Sequence, residues 1–499
     1  MVEIARAGGR SRRAPVDLAV AAIAVGVVAL LAATAVGGAL VFIVAVAAIA
    51  IVVMAVPSRY RTGTLLAVAM IGAVDGLPGP DLTTHIVTNG IYEQDFLVYF
   101  AIVLLAWEIY RYRLWTFYSR GLGKALLMFA LINLAWWLLT LYRTSWLVGV
   151  HINHAANFGR PFLYIAILTP LFAAGMQRRD TRNAVFVVAG AWSLVISGAS
   201  ILGSIHQSSF TLHLLHVTTI RQAGTLTRLY VHGEDLLVVA IMFSVPFLLG
   251  APKREQRWFA GVVAIFAIVA VGVLQTRASY YGCIGGALVA ALVYMSGADS
   301  RAAIKRLLAV FAVLAAVFGG IFLFASGSGI AKGINQVTYR AASAIGAVNS
   351  ANTYTSTVAA RNAELNLLEQ RLGNQYVLGL GFISPRDQPD INLPFGSIYN
   401  SDVGAFNVVM MMGLVGAVLY YLAIFVTTAM LILKSRTVHG ERRLYAQGAL
   451  GACVLTLITS VTLVSFFAVT GIITVAASLG IGAAVIAGGS AAEGREAAA

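Results

Sequence analysis

"DVGAFNVVMMMGLVGAVLYYLAIFVTTAMLIL", residues 402–433, carries no charged side chain between Asp402 and Lys434. About 20 apolar helical residues cross a bilayer, so this stretch reads as a membrane span with length to spare. The pattern recurs along the chain. Of 499 residues, 59% are hydrophobic and 11% charged, and mean hydropathy is +0.85. A soluble chain of this length would divide into several domains, whereas a helical bundle with lipid as its outer solvent absorbs all of it. The expected fold class is all-α, a polytopic membrane bundle of about 12–14 transmembrane helices.

Breaking the apolar runs at charge clusters gives spans near residues 16–36, 39–57, 62–76, 95–110, 124–142, 161–176, 183–203, 235–251, 258–275, 278–297, 306–326, 403–433, 444–467 and 471–488. The third is short and contains Asp75, which suits a broken or re-entrant segment. The first follows Arg6, Arg10, Arg12 and Arg13 and resumes after the Gly37-Gly38 turn, so it reads as an anchor and not as a cleaved signal. The expected organisation is a basic cytoplasmic segment over 1–15, one transmembrane domain over 16–488, and a disordered cytoplasmic Ala/Gly/Glu tail over 489–499.

With the N-terminus placed in the cytoplasm, twenty-four of the 34 Lys and Arg residues fall inside, but only nine of the 20 acidic ones. The net charge of +14 is thus a topology signal facing anionic lipid headgroups, and it needs no nucleic-acid partner. Both termini are expected in the cytoplasm. Seven of the eight histidines, at 85, 151, 154, 206, 213, 216 and 232, stay on the outer side, as do ten basic residues. Cys283 and Cys453 lie inside spans and read as packing residues.

Between the spans 306–326 and 403–433 lies one long outer loop, residues 327–401, far beyond ordinary connection lengths. Its centre, "TVAARNAELNLLEQRLGNQ", sets Leu365, Leu368 and Leu372 at helical spacing against Arg361, Glu364, Glu369 and Arg371. This describes an amphipathic helix stopped by Gly373. It would either lie on the membrane face or cap a cavity between spans. Farther on, Arg386, Asp387, Asp390 and Asp402 make the loop polar up to the edge of the span from Val403.

Arginines gather near the outer helix ends. Arg277 sits in "LQTRASYYG" between two apolar runs with almost no loop to escape into, and a guanidinium there needs an anionic partner or a water-filled cavity. Arg221 and Arg228 precede another span, with His232, Glu234 and Asp235 close behind. For Arg143, snorkelling to the interface is an equally good account. Several arginines at one end of a bundle suit a phosphate or pyrophosphate, whose oxygens take guanidinium forks bidentately. The same groups would stabilise pyrophosphate as a leaving group.

The order of these features carries a resemblance. "RQAG" (Arg221 to Gly224) precedes a span, "TRAS" (Thr276 to Ser279) joins two spans, "LGLG" (Leu378 to Gly381) lies late in the long loop, and "DVGAFNVVMMMGLVG" runs to a Gly-x-x-Gly. Over residues 220–420 the chain resembles the O-antigen ligase and Wzy polymerase superfamily of bacterial polysaccharide enzymes. The resemblance implies a metal-independent, cofactor-free glycosyltransferase on the outer face of the bacterial inner membrane. Such an enzyme moves a glycan from a polyprenyl-pyrophosphate donor to a glycan or lipid-linked acceptor hydroxyl. Carried over by position, Arg221 and Arg277 would act on the pyrophosphate, with Arg228, Arg361, His232 and Arg386 as further substrate-binding candidates. The ligase branch has a histidine eleven residues before the Gly-x-x-Gly, and counting back from Gly413 that position is Asp402. An aspartate there favours polymerisation over ligation, with Asp402 as the base that accepts the acceptor's proton.

Each assignment has a plainer counterpart. Asp402 could simply cap the span that follows, while the glycines of "LGLGF" are expected to let the loop backbone approach a bound sugar closely. The histidine spacings lack a carboxylate or cysteine to complete a metal site. Asp75 and Asp81 in "DGLPGPD" suit a turn around Pro78 and Pro80. The competing class is a lipid-linked glycan flippase, which would grip the same anion without catalysis. Two internally similar halves would favour it, and the sequence shows no such repeat.

Overall fold

The computed structural model describes residues 56–75, 93–119, 121–205, 219–223, 226–231, 233–274, 277–294, 366, 369–370, 372–383, 404–460 and 469–488. The expected spans 16–36 and 306–326, all but the end of 39–57, the N-terminal segment and the C-terminal tail lie outside them. Among the described residues the chain forms eleven helices: α1 Ser58–Asp75, α2 Glu93–Arg111, α3 Gly121–Trp146, α4 Ile152–Gly175, α5 Arg179–Ile205, α6 Glu234–Gly250, α7 Arg254–Leu274, α8 Arg277–Tyr294, α9 Ala405–Leu433, α10 Gly440–Thr459 and α11 Val469–Ala487. The protein is an all-α, multi-pass membrane bundle. Five helices, α3, α4, α5, α7 and α9, are each long and apolar enough to cross a bilayer.

The bundle is organised around α11. Every residue from Gly471 to Val485 is buried, and the helix packs on α4, α10, α1 and α9. A helix apolar on all sides belongs at such a centre. Around it, α1 pairs with α5, α6 with α7, α3 with α4, and α8 with α10. Exposed rows such as Ile284, Leu288 and Leu292 on α8, and Val418, Leu422 and Phe425 on α9, face outward at helical spacing. Such rows suit lipid contact. Cys453 is buried and Cys283 partly so, both as free thiols.

Several helices begin earlier than the charge pattern predicts, because the charges that seemed to end them are neutralised. Helix α4 starts at Ile152, capped by His151, whose Nδ1 accepts from the Asn153 amide at 3.3 Å. It continues through Arg160, which meets the buried carboxylate of Asp95 at 2.7 Å. Helix α1 runs unbroken from Ser58 to Asp75, which corrects the expectation of a broken third span. There Arg61 Nε donates to Val56 O at 3.2 Å, so its charge is held at the helix start.

Two ends of the bundle differ in charge. At one, Arg178 pairs with Glu108 at 2.8 Å, Arg179 with Glu441, and the Arg443 guanidinium donates to the Tyr294 carbonyl. The buried Arg182 donates to Met176 O at 3.1 Å and stacks over the Tyr445 ring at 4.7 Å. Lys253, Arg254, Lys434 and Arg436 lie at helix boundaries of this same basic end. The opposite end holds Arg143, Arg160, Arg221, Arg228 and Arg277. It also holds one element the all-α expectation lacked, a two-stranded hairpin of β1 Thr219–Ala223 and β2 Leu226–Tyr230.

Candidate functional site

The end opposite the basic cluster is built from two assemblies. The first is the hairpin and the helix starts that follow it. Strands β1 and β2 pair antiparallel with Thr219 opposite Tyr230, Ile220 opposite Leu229, Arg221 opposite Arg228 and Gln222 opposite Thr227. The sequence signal was present: two short runs flank Gly224-Thr225, a Gly-first pair of the kind that closes two-residue hairpins. Directly opposite residues share one face of a ribbon, and like charges so placed oppose pairing. Two of the sequence-identified arginines are therefore cross-strand partners.

Strand β2 lies against α5 and α7 and leads within four residues into α6. At the start of α6, Glu234 accepts a 2.7 Å hydrogen bond from the hydroxyl of Ser279. Ser279 ends the "TRAS" step and lies two residues after Arg277, the first residue of α8. The first turns of α6 and α8 are thus adjacent, with Glu234 and Asp235 at the positive end of the α6 dipole. Arg277 and the hairpin share this edge.

A chain of contacts links the edge to the start of α9. The Ala405 amide donates to Ser460 O at 2.6 Å. The neighbouring Thr459 is so close to Gly282 of α8 that a Cβ on that glycine would lie 2.7 Å from its methyl. Helix α9 begins at Ala405 with Gly404 as its cap (φ 52°) and no side-chain capping bond. The helix thus starts two residues after the expected Val403, with Gly404 at the cap position. Asp402 itself lies outside the described residues, as do Arg361, His232 and Arg386.

The second assembly is where the long loop returns. Helix α9 is interrupted at Gly413, whose φ of 71° and ψ of −179° are not helical. An interrupted helix in a membrane leaves amides and carbonyls that must find partners. Here the loop supplies them. Leu380 N donates to Met410 O (2.6 Å), Gly381 N to Met411 O (3.0 Å) and Leu414 N to Tyr376 O (2.8 Å). Trp136 Nε1 donates to Met412 O at 3.1 Å. The two glycine motifs that the sequence separates by some thirty residues are thus one seam.

The seam admits no side chain. A Cβ on Gly413 would lie 2.1 Å from Val377 O, and one on Gly379 (φ 74°) would lie 2.4 Å from Gly413 N. The "LGLGF" glycines therefore serve this backbone contact, which corrects the expectation that they admit a sugar. Arg143 is likewise reassigned. Its guanidinium donates to Leu378 O at 2.7 Å and Gly379 O at 3.3 Å, while the neighbouring Thr144 Oγ1 accepts from Phe382 N at 2.9 Å. Phe382 is buried between Phe162 and Trp137. On the near side, Gly373 has a φ of 47° and its amide returns to Glu369 O at 3.1 Å, a helix stop where the sequence expected one. The described part of the loop, 372–383, is held on α3, α4 and α9, and Arg386 lies three residues past it.

One polar group escaped the sequence reading. Asp95, 1% exposed, accepts from Arg160 Nη1 at 2.7 Å and from the Tyr164 hydroxyl at 2.6 Å. The available signal was the i, i+4 spacing of Arg160 and Tyr164 together with an ionisable residue at membrane depth. Among the described residues, no three His, Cys, Asp or Glu side chains converge on a point that could hold a metal ion. Comparison with protein-family models and with curated proteins gave no match for this chain.

Proposed function

We propose that the protein is a membrane glycosyltransferase of the O-antigen ligase and polymerase kind. It would transfer or polymerise a glycan from a polyprenyl-pyrophosphate donor onto an acceptor hydroxyl at the outer face of the bacterial inner membrane. The observation that carries this reading is the register of Arg221 opposite Arg228, on a hairpin joined directly to the edge where Arg277 starts α8. Two like charges held opposite each other weaken a ribbon, and a bound di-anion turns that repulsion into attraction. A pyrophosphate has the charge, and its lipid tail suits a site at the end of a lipid-facing bundle. Departure of the pyrophosphate from the anomeric carbon would be stabilised by these guanidinium groups. Asp402, three residues before Ala405 in the sequence, would accept the proton of the attacking hydroxyl. The aspartate at that position favours polymerisation over ligation.

The interrupted α9 favours a second reading, since transporters commonly build substrate sites from broken helices. In this protein the groups freed by the break are occupied by the loop backbone, which suits a fixed scaffold better than a moving gate. The deciding experiment incubates purified protein with its lipid-linked glycan, with and without a chelator, and resolves the products on a gel. A ladder is expected in both arms and should vanish in Arg277→Lys, because a point charge does not replace a bidentate fork. A single shifted acceptor band would assign ligation, and unchanged substrate would leave the flippase.

A further inference from the structure

The surface where α2 passes into α3, at the basic end, has features that neither packing nor the proposed reaction uses. Trp107, Tyr110 and Trp115 are 53, 67 and 46% exposed, and their rings stand in file with centroids 6.3 and 6.2 Å apart. Arg111 and Arg113 lie in the segment that carries the file and Lys124 in the first turn of the helix after it; all three are exposed, with the Arg111 guanidinium 5.4 Å from the Tyr112 ring centroid. Among the described residues no ion pair engages any of the three; the nearby Arg178, by contrast, is neutralised by Glu108.

The support beneath this surface is rigid. A 3-10 turn, Leu114–Ser119, links the two helices. Its Tyr118 hydroxyl donates to Pro170 O at 2.9 Å, and a Cβ on Gly123 would lie 1.9 Å from Phe117 O. The Tyr112 ring has the Arg178 guanidinium 3.5 Å from its centroid on the protein side. Arg113 is the sole non-glycine residue with a positive φ, 53°, among the described residues. L-residues adopt that conformation at a cost that glycine would avoid.

We propose that this surface is a binding site for an anionic phospholipid of the leaflet at the basic end. Trp107, Tyr110 and Trp115 would sit at headgroup depth while Arg111, Arg113 and Lys124 take the phosphate. Charge complementarity selects this occupant: exposed aromatics beside cations that form no ion pair among the described residues match a lipid interface whose headgroups are negative. The inference does not rest on the glycosyltransferase reading.

The test is native mass spectrometry of the detergent-solubilised protein titrated with phosphatidylglycerol or with phosphatidylcholine of the same acyl chains. Wild type should retain phosphatidylglycerol at roughly tenfold lower lipid concentration, the scale set by a few basic residues acting near an anionic surface. The triple variant Arg111→Gln, Arg113→Gln, Lys124→Gln should hold both lipids alike, whereas Lys253→Gln with Arg254→Gln, elsewhere on the basic end, should keep the preference. Arg113→Gly alone should weaken phosphatidylglycerol retention while raising Tm, because it removes the strained conformation. Unchanged preference in the triple variant, or an equal loss in the Lys253 and Arg254 pair, would overturn the assignment; so would undiminished retention in Arg113→Gly.

Discussion

Arg143 departs from the role that its surroundings suggest. An arginine at the outer end of an apolar helix reads as a snorkelling side chain, yet both its donating nitrogens bind carbonyls of the returning loop. An aspartate before a helix reads as a cap, yet Gly404 holds the cap position and the helix starts at Ala405. Asp402→Asn keeps size and capping ability while removing the proton acceptor, which makes it a test of base catalysis. Turnover should fall about 100-fold or more, with donor binding retained, a magnitude typical of losing a general base. Asparagine keeps the size and capping ability of aspartate, so Tm should stay at the wild-type value. Normal turnover would move the role to His232, Glu364 or Asp390.

At the scale of elements, the decisive contact lies between the interrupted α9 and the loop segment from Tyr376 to Phe382. Gly413 is needed there twice, for its positive φ and for the absent Cβ that lets Val377 O approach. Gly121 has a similar φ, 50°, but open space where its Cβ would be. The two positions separate conformational strain from steric exclusion. Gly121→Ala should lower stability by about 1–2 kcal/mol, the cost of the left-handed conformation alone. Gly413→Ala adds a clash that forces the loop off the helix and exposes the freed amides and carbonyls to lipid. Thermal unfolding in detergent should show a small shift in Tm for Gly121→Ala and a far larger one, or loss of folded protein, for Gly413→Ala. Equal shifts would mean that the seam contributes little to the fold.

At the scale of the whole molecule, the separation of charge between the two ends predicts orientation. Single-cysteine variants at His151, the cap of α4, and at Lys253, between α6 and α7, lie at opposite ends of the bundle. In intact cells a membrane-impermeant maleimide should label His151→Cys and leave Lys253→Cys unlabelled, as the positive-inside rule requires. The variants are made with both native cysteines, the partly buried Cys283 and the buried Cys453, replaced by Ala, so that only the introduced thiol is labelled. The reverse labelling would invert the topology and move the arginine edge to the cytoplasm, away from any outer-face donor.

Hydropathy alone was enough to read the class of fold, most of the described helices and the charge asymmetry. A bilayer demands long apolar runs and a charge bias at their ends, and both are local properties of sequence. Charges misled that reading where a distant residue neutralises them, as Asp95 does for Arg160, because a pair formed across helices leaves no mark in either segment alone. The hairpin register, the Glu234–Ser279 bond and the seam between "LGLG" and the Gly-x-x-Gly were likewise settled only by tertiary structure. Sequence spacing indicated that these glycines and arginines were unusual. Which of them meet depends on backbone groups finding partners in a medium that offers none, and that is decided only when the whole bundle closes.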